Sequence, residues 1–156
     1  MKIIFLDIDG VLATDECFGV FEEFVELHMR AYRFDKRCVM QLNRIIQETD
    51  CEIVLTSDWR LQYNEETLKK FFLEINKCSK APVDQTISLH RLKFSEPIAY
   101  IRRREIISYL TDHPEITSWC AIDDMDLDMP NFVRCTDDRE GLTEELADSV
   151  IEILQS

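Results

Sequence analysis

The sequence has 156 residues, of which 46% are hydrophobic and 31% are charged, and its net charge is −13. This length and composition predict one folded domain with a sizeable core and exclude a disordered chain. Because no apolar run approaches the roughly 18 residues of a membrane-spanning helix, and because acidic residues dominate, we expect no membrane partner and no extended face for binding nucleic acid.

Strands and helices are predicted to alternate along the chain. Short runs rich in β-branched and aromatic residues predict strands, at residues 2–6, 53–55, 83–87, 118–122 and 131–135. Apolar side chains at helical spacing predict helices, at residues 36–49, 65–77, 99–112 and 144–154. The predicted N-caps are Asp35, Asn64 and Thr143. This alternation predicts a single α/β domain of the Rossmann-like kind, a parallel sheet with helices on both faces.

The N-terminus and the cysteines indicate a cytoplasmic protein. The apolar run at residues 3–6 is too short for the core of a secretory signal peptide. The six cysteines form no CxxC pair, and no histidine follows them at the spacing of a zinc site. We therefore expect reduced, structural thiols in a reducing compartment.

Three of the predicted strands end in residues capable of chemistry. They are Asp7 with Asp9, Thr56 with Ser57, and Asp123 with Asp124. Open parallel sheets bind their ligands outside the carboxyl ends of the strands. If these strands are neighbours in the sheet, the polar side chains converge on one small cleft.

The segment AIDDMDLDM, residues 121–129, carries four aspartates within six positions. Two like charges at about 4 Å repel by roughly 4 kcal/mol at an effective dielectric of about 20, so a cation or good solvation must offset the repulsion. The spacing does not match a calcium loop, because Met129 and Cys135 stand where glycine and glutamate are required. We expect Asp126 and Asp128 to be mainly solvated surface.

A magnesium ion fits the acidic strand ends better. Mg²⁺ prefers oxygen ligands and usually takes one or two carboxylates, water and a substrate phosphate. Asp7 and Asp124 are the expected carboxylate ligands, and the backbone carbonyl of Asp9 is a third candidate. A tight turn at Gly10 would fold Asp9 back over Asp7. One carboxylate could then attack phosphorus while the other transfers the proton of the leaving group.

Four segments resemble, in order, the motifs of the haloacid-dehalogenase (HAD) superfamily. They are FLDIDGVL, IVLTSDWR, a basic residue that opens a helix, and AIDD. The resemblance covers the whole chain and implies a magnesium-dependent phosphatase. Asp9 supplies a second acid, which in this resemblance favours phosphatases and mutases over dehalogenases. IVLTSDWR and the tail FVRCTDDREGLTEELA are further similar to a small HAD subgroup, the phosphatase-like domain of RNA-repair proteins.

The resemblance implies a role for the residues after the first two strands. Asp7 would be the nucleophile, which forms an aspartyl-phosphate, and Asp9 the general acid and base. Thr56 would be catalytic by hydrogen-bonding the phosphoryl group, and Ser57 is the alternative residue for that contact. The turn at Gly10 would lie against the substrate.

The resemblance also implies a metal edge and a catalytic cation. Asp124 would bind Mg²⁺ together with Asp7 and Asp9, and Asp123 would stand beside it. Arg102 occupies the place where the superfamily usually has lysine, and is implied to be catalytic and to bind substrate. Since arginine and lysine are not interchangeable at a tight site, three other basic residues of the same stretch remain candidates, namely Lys93, Arg103 and Arg104.

Residues 13–34 lie where such proteins insert a flap or cap, and they are too few for a full cap domain. In this segment Phe18, Phe21 and Phe24 would either pack in the core or line the site. A nearly capless site resembles those of members that act on exposed phosphoesters, so the expected partners are nucleic-acid ends, nucleotides or phosphoproteins. The alternative is a non-catalytic interaction module with the same fold.

Overall fold

The computed structural model describes residues 1–18, 33–89 and 96–156. Its strands are β1 (Lys2–Leu6), β2 (Glu52–Leu55), β3 (Asp84–Gln85), β4 (Ser118–Asp123) and β5 (Phe132–Arg134). All five are parallel, and they form one sheet in the order β3-β2-β1-β4-β5. The predicted parallel sheet is confirmed, and β1 lies at its centre.

Strands and helices alternate over most of the chain, as predicted, and the last helix follows the last strand. They are α1 (Lys36–Thr49), α2 (Trp59–Gln62), α3 (Glu65–Lys69), α4 (Ile98–Asp112) and α5 (Glu144–Gln155). The predicted N-caps are confirmed, because the side chains of Asp35, Asn64 and Thr143 each accept a backbone N–H of the first helical turn. None of the described helices is both long enough and apolar enough to cross a bilayer.

Helices cover both faces of the sheet, because the central strand is apolar on both sides. Successive residues of a strand point to opposite faces. On one face, Ile4 packs in a cluster with Leu42 of α1 and Val150 of α5. On the other face, Phe5 packs in a second cluster with Ile106 of α4. Burying each such side chain contributes roughly 1.5–3 kcal/mol, so α4 is fixed on one face and α1 and α5 on the other.

Two local features differ from the sequence prediction. The predicted helix over residues 65–77 is α-helical only to Lys69 and continues as a π-helical turn, Lys70–Ile75. The wider π-helical turn leaves the adjacent Phe71 and Phe72 both buried. The sequence also does not predict the single-turn helix α2, because its few residues show no apolar period.

The predicted flap at residues 13–34 lies mostly outside the described residues. The side chains of Phe18, Phe21 and Phe24 belong to that part, so their roles stay predictions. At the end of the segment, Phe34 is buried and packs against the ring of Trp59, with ring centroids 5.8 Å apart.

All six cysteines are free thiols, and five of them are buried. Burial raises the pKa of Cys38, Cys78, Cys120 and Cys135 to about 12, because it disfavours the charged thiolate. These four thiols are therefore protonated near neutral pH, as expected for structural rather than nucleophilic cysteines.

The loop before α5 closes against the turn that follows β1. Gly141 has a φ of +58°, and the N–H of Leu142 donates to the carbonyl oxygen of Val11 at 2.9 Å. A Cβ at position 141 would lie 2.5 Å from that same carbonyl oxygen. The contact therefore requires glycine both for its backbone conformation and for its lack of a side chain.

We expect Gly141→Ala to lower the free energy of unfolding by about 1–3 kcal/mol, because it combines backbone strain with a steric clash. Urea denaturation measures the change. The matched control is Glu140→Ala at the neighbouring exposed position, which should change stability by less than about 0.5 kcal/mol. A Gly141→Ala variant as stable as the wild type would contradict this close packing.

Candidate active site

The three chemically capable strand ends lie side by side, because β1 is flanked by β2 and β4. The N–H of Thr56 donates to the carbonyl of Leu6 at 3.0 Å, and the N–H of Asp7 donates to the carbonyl of Ile122 at 3.0 Å. These bonds extend the two parallel ladders one residue past the strands. They fix the backbones of Asp7 and Thr56 against their neighbours at one edge of the sheet.

A tight turn follows the end of β1. The carbonyl of Ile8 accepts hydrogen bonds from the N–H groups of Leu12 and Ala13, at 2.8 and 2.9 Å. Gly10 has a φ of +74°, and a Cβ there would lie 2.9 Å from the Cβ and Oδ2 of Asp124. Gly10 therefore permits both the turn and the close approach of the Asp124 carboxylate.

Three carboxylates meet beside this turn. Asp7, Asp123 and Asp124 each offer an oxygen, and these oxygens lie within 4.8 Å of one another. Nη1 of Arg102 lies 2.8 Å from Oδ2 of Asp7 and 2.8 Å from Oδ2 of Asp123. Asp7, Asp123 and Arg102 are each no more than 5% exposed. Helix α4 thus places its guanidinium between the acids that end β1 and β4.

One guanidinium does not fully compensate these buried acids. Burial raises the pKa of Asp7 to about 7 although Arg102 lowers it, and the neighbouring Asp123 raises it further. Burial likewise raises the pKa of Asp123 against the opposing effect of Arg102. A raised pKa means that the nearby positive charge does not fully offset the cost of burying the ionised carboxylates. A further cation at this edge would offset the rest.

Asp9, Thr56 and Ser57 follow the ends of β1 and β2, beside Asp7 in the sheet order. Asp9 is exposed, and its Oδ2 accepts a hydrogen bond from the indole N–H of Trp59 at 3.0 Å. Thr56 and Ser57 are buried. The Ser57 hydroxyl accepts the backbone N–H of Trp59 at 3.4 Å, whereas the Thr56 hydroxyl makes no hydrogen bond within the part of the chain that the structure describes. Both hydroxyls keep an O–H that can donate to a ligand, so Thr56 and Ser57 both stay candidates for the phosphate contact.

Two buried residues that the sequence did not single out anchor the helix that carries Arg102. Arg60 and Glu105 form an ion pair of 2.7 Å, and their side chains are 1% and 0% exposed. Arg60 also donates to the carbonyl of Thr56, and through Nε to the carbonyl of Thr86 at 3.1 Å. The pair ties α4 to the end of β2. The sequence shows only that Arg60 and Glu105 carry opposite charges, and this does not by itself identify them as partners.

The other basic candidates of this stretch lie elsewhere. Arg103 pairs with an exposed aspartate of the loop after β4, and Arg104 pairs with a glutamate just before α4. Lys93 lies outside the described residues. Among the described candidates, Arg102 is the side chain that reaches Asp7.

The four aspartates of residues 121–129 form two pairs, and the second pair is exposed to solvent, as predicted. The side chains of Asp126 and Asp128 are 65% and 96% exposed. They pair with Arg134 and Arg103 at the surface. The two remaining aspartates of the run belong to the carboxylate cluster.

The donor set fits a magnesium ion, since carboxylate oxygens at this spacing are ligands that Mg²⁺ prefers. The oxygens of Asp123 already accept from Arg102 Nη1 at 2.8 Å and from the N–H of Met125 at 2.9 Å. The Asp124 carboxylate has no hydrogen bond or ion pair to any described residue. Asp7 and Asp124 are therefore the side chains best placed to bind the ion directly.

Comparison with known proteins agrees with the fold. A family model described as the HAD domain in Swiss Army Knife RNA repair proteins matches residues 3–147. The chain belongs to this HAD family. No curated protein and no solved structure gives a significant match. The HAD membership that the ordered motifs predict is therefore confirmed.

We expect Asp7→Asn to stabilise this HAD domain at alkaline pH when metal is chelated. The pKa of about 7 lies above the ordinary value of 3.8, so ionising Asp7 lowers stability as the pH rises between these two values. At about pH 8 the variant should be more stable than the wild type by about 1–4 kcal/mol, and the gain should fade toward about pH 4. Urea denaturation in EDTA measures the difference.

The control for this pH dependence is Asp126→Asn, which neutralises an acid whose side chain is 65% exposed. It should show no comparable gain at alkaline pH. If the difference between Asp7→Asn and wild type did not change with pH, the burial of an ionised Asp7 would not be the cause.

Proposed function

We propose that this HAD domain is a magnesium-dependent phosphomonoesterase that acts through an aspartyl-phosphate on Asp7. The proposal is carried by the surroundings of Asp7, whose Oδ2 lies 2.8 Å from Nη1 of Arg102 and which offers an oxygen within 4.8 Å of one of Asp124. A carboxylate that attacks a phosphoryl group needs nearby positive charge, because both reactants are anionic. Arg102 supplies one positive charge, and Asp7 with Asp124 can hold a second.

The reaction has two balanced steps. In the first, an oxygen of Asp7 attacks phosphorus, and the bond from phosphorus to the leaving oxygen breaks. The leaving oxygen keeps the bonding electron pair and takes a proton from Asp9. In the second, Asp9 takes a proton from water, the water oxygen attacks phosphorus, and the bond from phosphorus to Asp7 breaks. The products are an alcohol and inorganic phosphate, and both aspartates return to their starting forms.

The remaining side chains bind the phosphoryl oxygens and the metal. The Thr56 hydroxyl and the Arg102 guanidinium are the proposed donors to the phosphoryl group. Nε of Arg102 is buried and has no partner among the described residues, and an unmet buried donor costs free energy that a ligand oxygen can recover. Asp7 and Asp124 would hold Mg²⁺, which when bound would neutralise charge on the phosphoryl group. Asp123 orients Arg102.

The proposed substrate is an exposed terminal phosphate, and a nucleic-acid end is favoured. The family description refers to RNA repair proteins. The net charge of −13 disfavours contact along a nucleic-acid backbone but permits contact with a single terminal phosphate. Free nucleotides and phosphoproteins carry the same chemical group, so they are the competing outcomes of a substrate screen.

We expect the purified protein to hydrolyse p-nitrophenyl phosphate in the presence of Mg²⁺. Asp7→Asn should lower kcat by about 1,000-fold or more, because it removes the nucleophile. Release of nitrophenolate measures the rate, and Asp126→Asn is the matched control that should keep wild-type activity. Equal rates for Asp7→Asn and wild type would overturn the proposal.

The screen that identifies the substrate compares RNA with a 3′-phosphate, RNA with a 5′-phosphate, a nucleotide and a phosphopeptide, all with release of inorganic phosphate as the readout. A folded wild-type protein that hydrolyses none of these, nor the aryl phosphate, would support a non-catalytic module instead.

We expect Mg²⁺ to raise the melting temperature of the wild type, because an ion that binds the folded state stabilises it. At 100 times the dissociation constant the gain is about 2.7 kcal/mol. Asp124→Ala should lose most of this shift, and Asp126→Ala should keep it. An equal shift in wild type and Asp124→Ala would place the ion elsewhere.

A further inference from the structure

The indole of Trp59 is hydrogen-bonded to the carboxylate of Asp9. Nε1–H donates to Oδ2 of Asp9 at 3.0 Å, although the two residues are 50 positions apart in the sequence. Trp59 is 9% exposed, whereas Asp9 is exposed. Over residues 1–18, 33–89 and 96–156, the indole is the hydrogen-bond partner of the Asp9 side chain. The orientation of this carboxylate therefore depends on Trp59.

Aromatic packing holds the Trp59 ring in place. Its centroid lies 5.8 Å from that of Phe34, 5.6 Å from that of Tyr63 and 6.0 Å from that of Phe71. These distances are typical of stabilising contacts between aromatic rings. An exposed aspartate on a turn can rotate about two side-chain bonds, and a ring fixed on several sides gives it a rigid hydrogen-bond donor.

The indole also distinguishes the two oxygens of Asp9. An indole N–H can donate a hydrogen bond but cannot accept one. Oδ2 accepts this bond, which favours Oδ1 as the oxygen that carries a proton. Trp59 follows Thr56 by three residues, so one short segment holds both the proposed phosphate contact and this carboxylate.

We infer that Trp59 is a positioning residue for proton transfer by Asp9, holding Oδ2 so that Oδ1 delivers the proton to the leaving oxygen. This inference rests on the proposed phosphomonoesterase activity. It predicts an effect that depends on the leaving group. An alkoxide is a poor leaving group unless it receives a proton as it departs, whereas nitrophenolate is stable without a proton.

The test compares Trp59→Phe with wild type on two phosphate esters, p-nitrophenyl phosphate and glycerol 2-phosphate. Phenylalanine keeps an aromatic ring among its neighbours but lacks the N–H. We expect kcat/KM for the alkyl ester to fall by about tenfold and that for the aryl ester by less than about twofold. The ratio kcat/KM is the proper quantity, because it reports the steps through loss of the leaving group.

The chain offers a matched control in Trp119, its other tryptophan. Trp119 packs against Phe5 on the face of the sheet that α4 covers. Trp119→Phe should leave both rates near those of the wild type. In an Asp9→Asn background, Trp59→Phe should add no further loss on the alkyl ester, because the acid that it positions is absent.

A sulfur isostere keeps the inference testable if Trp59→Phe does not fold. In the Trp119→Phe background, biosynthetic incorporation of benzothienylalanine replaces Trp59 alone and exchanges the N–H for sulfur in a ring of nearly the same shape. The same selective loss on the alkyl ester is expected.

The outcomes separate this inference from the proposed function. A wild type that hydrolyses neither ester would overturn the phosphomonoesterase activity. A wild type that hydrolyses both, with variants that lose activity equally on the two esters or not at all, would overturn the role of Trp59 and leave the activity standing.

Discussion

The contact of Arg102 with Asp7 and Asp123 is the one on which the site depends. It joins helix α4 to the ends of β1 and β4 through two contacts of 2.8 Å. Moving charged groups out of water costs several kcal/mol per ion unless close partners compensate. The three buried charges are therefore stable only while the contacts of Arg102 with Asp7 and Asp123 are kept. Burial raises the pKa of Asp7 to about 7, because the one guanidinium that Asp7 shares with Asp123 only partly offsets the cost of burying the charge. The domain therefore keeps a deficit of positive charge where the proposed reaction brings a metal ion.

Local signals in the sequence were sufficient for the sheet and most of the helices. An apolar run marks each main strand, and the caps act within their own helical turn, so neither needs knowledge of distant contacts. The convergence of Asp7, Thr56 and Asp124 follows from a general property of parallel sheets. The π-helical turn and α2 do not follow in this way. They depend on how Phe72 and Trp59 pack against Phe34, which lies far from both in the sequence.

The choice of Arg102 among three consecutive arginines shows where sequence analysis reaches its limit. The buried face of α4 consists of Ile101, Arg102, Glu105 and Ile106. Half of these side chains are charged, so a search for an apolar stripe does not find this face. Each charge is buried because it has a partner on another strand or helix. The rotation of α4 about its axis, and hence the arginine that faces Asp7, is fixed by those partners rather than by a local period.

Residues 56–60 serve three parts of the site at once. Thr56 extends the ladder between β2 and β1, the Trp59 indole holds Asp9, and Arg60 reaches α4 through Glu105. A single helical turn such as α2 is not stable alone, so these tertiary contacts give it a fixed place. Displacing it would disturb the proposed phosphate contact, the proposed general acid and the helix that carries the guanidinium together. The proposed transfer of a phosphoryl group needs reacting atoms held in line, and the packing of α2 would supply that rigidity.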